Sequence, residues 1–386
     1  MDMQEIYLDN NATTAIAREV FEEMVPYLKQ LYGNPSSAYS LGAGVRAKIE
    51  EARARVATLI GADADEVVFT SCGTESNNTA ILSALKANRG KKHIITTKVE
   101  HPAVLNLCKL KEREGYRLTC LPVDSYGILD MDAFMDALDD SVAVVSVMLA
   151  NNETGVVFPI PEIGRCLRER GILFHTDAVQ AVGKMPVDVR DLCVDMLSIS
   201  GHKLHAPKGV GVLYVRRGIP FHPLLIGGHQ EEGRRAGTEN VASIIALGKA
   251  CQLAGDSINT EATYVSRLRD KLQDAILEKC PDCRLNGTTD NRMPNTTNIS
   301  FKYVDGEAVL MLLNQHGICA SSGSACSSGS EDPSHVLSAM SVPAEVIRGS
   351  VRFSLSRYNT QAEIDKVIEV LPGIIKYLRD ISPFGR

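Results

Sequence analysis

The chain is predicted to be an α/β protein, with a large domain on a mostly parallel sheet and a smaller α+β domain. Three observations carry that prediction. From Glu66 to Thr176 short apolar strand patterns alternate with helical ones, as in a parallel sheet covered on both faces. The 386 residues exceed what one hydrophobic core usually serves, and a prior of about 150 residues per domain points to two. Polar residues gather just beyond the strands, at the carboxyl ends where such sheets bind ligands. The large domain is set at residues 15–260, and residues 1–14 with 261–386 form the smaller one.

Taken in order, Ile6-Tyr-Leu-Asp9 starts as a strand and runs through Asn10-Asn11-Ala12 into the turn formers Thr13 and Thr14. Asn34-Pro-Ser-Ser37 reads as a loop. A helix follows from Val45, with Val45, Ile49, Val56 and Leu59 at helical spacing and Gly61 as its stop. The strand Glu66–Thr70 leads through Ser71-Cys-Gly73-Thr74-Glu75 into an apolar helix with Ala80, Ile81 and Leu85. A strand, a small-residue turn and a helix N-terminus together suit phosphate, because free N–H groups and the helix dipole favour an anion. Strands are then predicted at His93–Thr97, Leu118–Val123, Val142–Ala150 and Gly171–Thr176, with helices at Asn106–Glu114 and Ile160–Arg170. His101, Asn152, Asp177 and Gln180 follow strands in this series and are candidate site residues.

The centre of the pattern is Met196-Leu-Ser-Ile-Ser200-Gly-His202-Lys203, a strand ending in a small-residue turn, followed by Pro207-Lys-Gly209 and a second strand to Val215. Most lysines lie on solvated faces. One held in a turn between buried strands is desolvated, which depresses its pKa and suits it to condense with an aldehyde. Ser200 and His202 beside it can both donate to an anion.

Gly227–Asn240 is a glycine-rich polar loop too long for a turn, and such loops are usually functional or disordered. Helices are predicted at Val241–Gly255 and Glu261–Lys279, the second crossing into the smaller domain. Beyond it come a strand at Asn295–Phe301, a helix at Glu307–Gln315, a strand at Val351–Ser354 and a last helix from Gln361. The sequence shows no internal repeat and no low-complexity tract.

Cys319 to Leu337 is small and polar, and is predicted to be an exposed, flexible loop carrying Cys326. A free thiol normally belongs inside. One presented in such a loop, with a few per cent thiolate at neutral pH, is placed to react. Cys319, next to the apolar Ile318, is read as structural. Cys280-Pro-Asp-Cys283 has CxxC spacing but no second ligand pair nearby, and is read as two incidental surface thiols. Ten cysteines at irregular spacing fit reduced thiols. A formal charge of -6 excludes a nucleic-acid backbone as partner. No apolar run reaches the ~20 residues of a membrane span, and the acidic start has no signal pattern. The expected location is the cytoplasm.

Ser200-x-His202-Lys203 followed by Pro207-Lys-Gly209 resembles the cofactor lysine motif of the cysteine desulfurases in the class V aminotransferase family. Leu8-Asp9 through Ala12-Thr-Thr14, the loop ending Gly237-Thr-Glu-Asn240, and Ser322-Gly-Ser-Ala-Cys326 are similar to further family segments, so the resemblance runs from Ile6 to the last helix. It implies the fold type I of pyridoxal-phosphate transferases. It implies that Lys203 bonds the cofactor aldehyde, that Asp177 pairs with the ring nitrogen, that Gln180 meets the ring hydroxyl and that His101 stacks on the ring. The Gly73–Thr74 turn, Ser200 and His202 would bind the phosphate, with Thr238 arriving from the other subunit of a homodimer. Asn152, beside the cofactor, and Arg352 would hold the substrate, L-cysteine. Cys326 would take its sulfur as a persulfide, releasing alanine. No resident metal is expected, Cys326 being at most a transient iron–sulfur ligand. His205-Ala206 stands where many relatives have Tyr-Gly, and Ser356 where many have glycine. The first, with the Gly227 loop, resembles the nitrogen-fixation branch and implies an iron–sulfur scaffold protein as sulfur acceptor. A selenocysteine lyase or an aminotransferase of this family would keep Lys203 and Asp177 without needing Cys326. A non-catalytic sulfur-binding protein would need none of the cofactor residues.

Overall fold

The computed structural model describes residues 5–322 and 333–382; Cys326 lies outside them. Strands numbered in chain order are β1 Ile6–Tyr7, β2 Val67–Thr70, β3 His93–Thr97, β4 Arg117–Leu121, β5 Val142–Ser146, β6 Leu173–Asp177, β7 Met196–Ser200, β8 Gly211–Val215, β9 Cys283–Asn286, β10 Thr296–Phe301, β11 Ile318–Cys319 and β12 Ser350–Ser354.

The central sheet has seven strands in the order β2-β8-β7-β6-β5-β3-β4. β8 runs antiparallel to both of its neighbours, and every other pair is parallel. β2, β3, β5, β6 and β7 therefore all point the same way, and the turns at their carboxyl ends meet along one edge. β5, β7 and β8 are buried at every residue, which is why β5 and β8 read as nearly continuous apolar runs; β7 buries Ser198 and Ser200 as well. Helices cover both faces. Leu85, Val104 and Cys108 pack on one side, while Val56, Phe174 and Leu247 belong to the larger core on the other.

Helix stops behave as the composition suggests. Ser40–Ile60 ends at Gly61, whose φ of +67° is left-handed and costs glycine little. That helix lies so close to Val241–Asp256 that a Cβ on Gly248 would stand 2.6 Å from Ala52 Cα. The helix Arg18–Lys29 is absent from the predicted elements, although Val20, Phe21, Met24 and Leu28 recur at helical spacing. Only Val20 on it is buried, and the helix continues through Pro26.

A three-stranded antiparallel sheet, β12-β10-β9, and the parallel pair β1-β11 build a second core. It gathers Leu8, Leu272, Phe301 and Phe353 with Ile364 and Leu371 of the final helix Gln361–Ile381. Val336, Leu337 and Met340 instead join the first core.

Two expectations are corrected here. The stretch Cys319 to Leu337 is not loop throughout: Cys319 lies in β11, and His335–Ala339 is a helix whose Val336 and Leu337 are buried. Two apolar residues close to a serine cap were enough to order that end. Cys280 is not a surface thiol but 1% exposed in the second core, since the helix Ser266–Lys279 delivers it inward as the chain turns into β9. Among the described residues no single helix is long and apolar enough to cross a membrane.

Candidate active site

A cavity of about 220 Å³ opens at the shared carboxyl edge of the strands. Each of five strands delivers to it. β2 leads to Gly73 and Thr74, β3 to His101, β5 to Asn152, β6 to Asp177 and Gln180, and β7 to Ser200, His202 and Lys203. Arg352 enters from β12 of the second sheet.

Lys203 ends a one-turn helix, Gly201–Lys203, directly after β7, and is 8% exposed. Its Nζ donates to the carbonyls of Asn11 and, at 2.6 Å, Ala12. Asp177 accepts from Asn77 Nδ2 at 2.6 Å and from the Val179 amide at 3.0 Å, so its carboxylate is fixed from two sides. His101 caps the helix Pro102–Arg113, its Nδ1 accepting from the Ala103 amide at 3.1 Å. The neutral ring therefore carries its proton on Nε2. Burial, then the neighbouring Lys203, Lys208 and Lys184, push His202 down to about 4; it stays neutral, with Nδ1 3.1 Å from Thr13 Oγ1.

The helix Gly73–Ala87 begins here without a side-chain cap, leaving first-turn N–H groups for an anion. A Cβ on Gly73 would lie 2.9 Å from Val179 Cγ2 and 3.3 Å from Ser200 Cβ, so only glycine lets Ser200 and the helix end approach this closely. Arg352 is 2% exposed. It donates to Asp9 Oδ1 at 2.8 Å and to the Asn152 carbonyl at 3.0 Å, and its Nε has no partner among the described residues.

The family whose model matches residues 6–367 is Aminotransferase class-V. The chain belongs to it. A cysteine desulfurase of Nostoc sp. strain PCC 7120 is 58% identical over 382 residues, covering 99% of this chain and 96% of that protein. The cysteine desulfurase NifS of Azotobacter vinelandii is 57% identical, covering 99% and 95%. Among solved structures a NifS-like protein has a TM-score of 0.91 at 36% identity, covering 97% of this chain and all 100% of that one. SspA in complex with cysteine has a TM-score of 0.81 at 34% identity, covering 92% and 100%. As a class V member the chain is a pyridoxal-phosphate-dependent enzyme of fold type I. Its own residues fit that cofactor: a buried amine, a carboxylate fixed in place, and an uncapped helix end that only glycine leaves open.

Thr238 is not in this cavity. It borders a separate cleft of about 240 Å³ beside Thr70, Ser71 and Arg235 of the same chain. Residues absent from the sequence-based candidates are prominent. Asn11 accepts at its carbonyl from Lys203 and Gln180, donates to Thr296 Oγ1 at 2.8 Å, and accepts at Oδ1 from Lys184 and Asn295. Asn77 orients Asp177. The departures at His205 and Ser356 are accommodated locally. His205 takes a φ of +62° with Nδ1 3.0 Å from the Ala15 carbonyl and its ring edge-on to Tyr358, and Ser356 binds Asn359 and Tyr358.

Proposed function

We propose that this chain is a cysteine desulfurase that moves sulfur from L-cysteine onto Cys326 and from there to an iron–sulfur scaffold protein. One observation carries the reading: three strands bring Lys203 with Ser200 (β7), Asp177 (β6) and Arg352 (β12) to one cavity. Bound pyridoxal phosphate supplies an electron sink for charge developing at the substrate's α-carbon. Asp177 would pair with the ring nitrogen and favour its protonated form. Thr74, Ser200, His202 and the Gly73 helix end would hold the phosphate, Gln180 would meet the ring hydroxyl and His101 would stack on the ring. Arg352 binds the α-carboxylate through its fork of N–H donors, with Asn152 alongside. Lys203 takes the proton from the α-carbon, as a buried amine freed of its charge can. Cys326 thiolate attacks the substrate sulfur. The Cβ–sulfur bond breaks as the sulfur–sulfur bond forms, its electron pair stays with Cβ, and a proton completes alanine.

The working unit is a homodimer in the cytoplasm. Thr238 reaches the phosphate of the neighbouring subunit, which accounts for its separate cleft. The cysteines among the described residues are free, as a reducing compartment keeps them. The choice of a scaffold acceptor is supported by the resemblance of His205-Ala206 and the Gly227 loop to the nitrogen-fixation branch.

The test is to incubate the protein with L-cysteine and weigh it. One added sulfur on Cys326 and an equivalent of alanine are expected. Cys326→Ser should still bind cysteine but gain no sulfur, because a serine hydroxyl is not ionised at neutral pH; Cys319→Ser should behave as the parent. Sulfide and alanine released by Cys326→Ser at the parent rate would overturn the reading.

A further inference from the structure

Two lysines are buried beside the cavity. Lys203 is the base for the α-carbon proton, whereas Lys184 takes no part in that chemistry. It is 7% exposed, and its Nζ donates to Gln180 Oε1 at 3.1 Å and Asn11 Oδ1 at 3.3 Å. Among the described residues no carboxylate pairs with it. Glu261, on the side of the second core, pairs instead with Arg357 at 3.5 Å. The void bordered by Lys184, Lys203 and Glu261 is only about 10 Å³, room for one water at most. An amine kept there without a counter-ion is costly, and burial, then Lys203, push it down to about 7.

Its neighbours show what it does. Gln180 Nε2 donates to the Asn11 carbonyl at 3.0 Å, and a carbonyl can only accept. Gln180 Oε1 takes the Lys184 amine, which donates whether charged or neutral. Both contacts demand the same orientation of the amide. One N–H of Gln180 is then left for the cavity. Lys203 shares the Asn11 carbonyl with Gln180, so both lysines hang on one asparagine.

We propose that Lys184 is a positioning residue for the cofactor site: it fixes the Gln180 amide with its N–H toward the ring oxygen, and it competes with Lys203 for one positive charge so that Lys203 gives up its proton readily. The proposal rests on Lys203 being the lysine that meets the cofactor. Two ammonium groups in one dry site disfavour each other, and an adjacent cation is a recognised way to activate such an amine. Other charged or titratable groups face the pair. Asp177 lies across the cavity, Glu261 with Arg357 and Arg352 act on Lys184, and neutral His202 and His205 flank the turn.

The test uses the full chain freed of cofactor. Competitive acetylation followed by peptide mass spectrometry gives the pH midpoint at which Lys203 becomes reactive. Lys184→Gln and Lys184→Met remove the charge and should raise that midpoint by about one pH unit; Lys184→Arg should keep it. Titration with pyridoxal phosphate reads the amide. Lys184→Met, with no donor, should bind about tenfold more weakly, as loss of one buried hydrogen bond predicts, and Lys184→Gln should bind better than Lys184→Met. An unchanged Lys203 midpoint in both neutral variants, or Lys184→Arg no closer to the parent than Lys184→Gln, would overturn the proposal. Should Lys184→Met not fold, the Gln and Arg variants decide it. Borohydride trapping of the cofactor on Lys184 in the parent would also overturn it, by reversing the two lysines. Failure of the parent to load sulfur on Cys326 would refute the desulfurase reading and leave these midpoints intact.

Discussion

Lys203 is held by the Asn11 and Ala12 carbonyls, and its loss need not unfold the turn, since Ala12 is only half-buried and its carbonyl can turn to water. The Asn11 carbonyl keeps Gln180, and Gly201–Lys203 is anchored by the Thr14 amide on the His202 carbonyl at 3.0 Å. Lys203→Ala is therefore expected to keep the parent's circular dichroism and lose turnover by at least about a thousandfold, within the range for a missing base. Borohydride reduction in the presence of cofactor should trap no other lysine in this variant. A trapped adduct elsewhere would show that another residue does its work. Arg352 makes the complementary case. Its ion pair with Asp9 is half-buried and spans 343 positions of sequence. The guanidinium is thus held in place by the protein itself.

At the scale of elements, the site depends on strand ends more than on the strands themselves. The helix Gly73–Ala87 supplies a partial positive charge at its start, worth about 0.3–1 kcal/mol to an exposed anion and up to about 2 in partly buried geometry. Its value rests on Gly73. Gly73→Val would push β-carbon substituents into Val179 and Ser200 and tilt the helix end away. We expect cofactor affinity, measured by titrating the cofactor-free chain, to fall about tenfold or more while the unfolding midpoint shifts little. Unchanged affinity would mean the phosphate sits elsewhere. The register Asp177↔Ser198 between β6 and β7 has a similar consequence, since it sets Asp177 and Lys203 at the same sheet edge.

At the scale of the molecule, two expectations can be tested. The first is the shared site. Homodimers of Lys203→Ala should be inactive, and those of Thr238→Val weakened in cofactor binding. Unfolding and refolding them together should restore activity, because a mixed dimer has one site with an intact lysine from one chain and an intact threonine from the other. No recovery would place Thr238 in its own chain's site or outside both. The second concerns acid. His175 is buried between Ser146 Oγ at 2.8 Å and Ser198 Oγ at 2.9 Å, and burial pushes it down to about 3. The unfolded chain, with histidine near 6.5, takes up that proton first. Its contribution is thus whole above about pH 6.5 and lost progressively as the pH falls toward the folded value. His175→Gln cannot titrate, so the stability gap between parent and variant in urea should narrow from pH 7 to pH 5. A constant gap would contradict a neutral, buried His175.

The sequence by itself determined the strand-helix alternation, the carboxyl-edge site and the lysine, since each is written locally. An apolar run ends, a small-residue turn begins, and the polar residue after it has nowhere to go but the edge of the sheet. Those signals placed Gly73, His101, Asn152, Asp177, Gln180, Ser200, His202 and Lys203 at one cavity. The helix Arg18–Lys29 was legible but not read, since Val20, Phe21, Met24 and Leu28 recur at helical spacing, and Cys280 was misplaced because CxxC spacing says nothing of which core lies beneath it. Asn11 and Lys184 could be found only in the folded chain. An asparagine in a turn and a lysine after a glycine look ordinary in sequence. Their roles come from the packing of residue 11 against residues 180, 184, 203 and 295. Hydrogen bonds between segments that distant are chosen by tertiary packing, because no local propensity records which buried carbonyl will meet which amine.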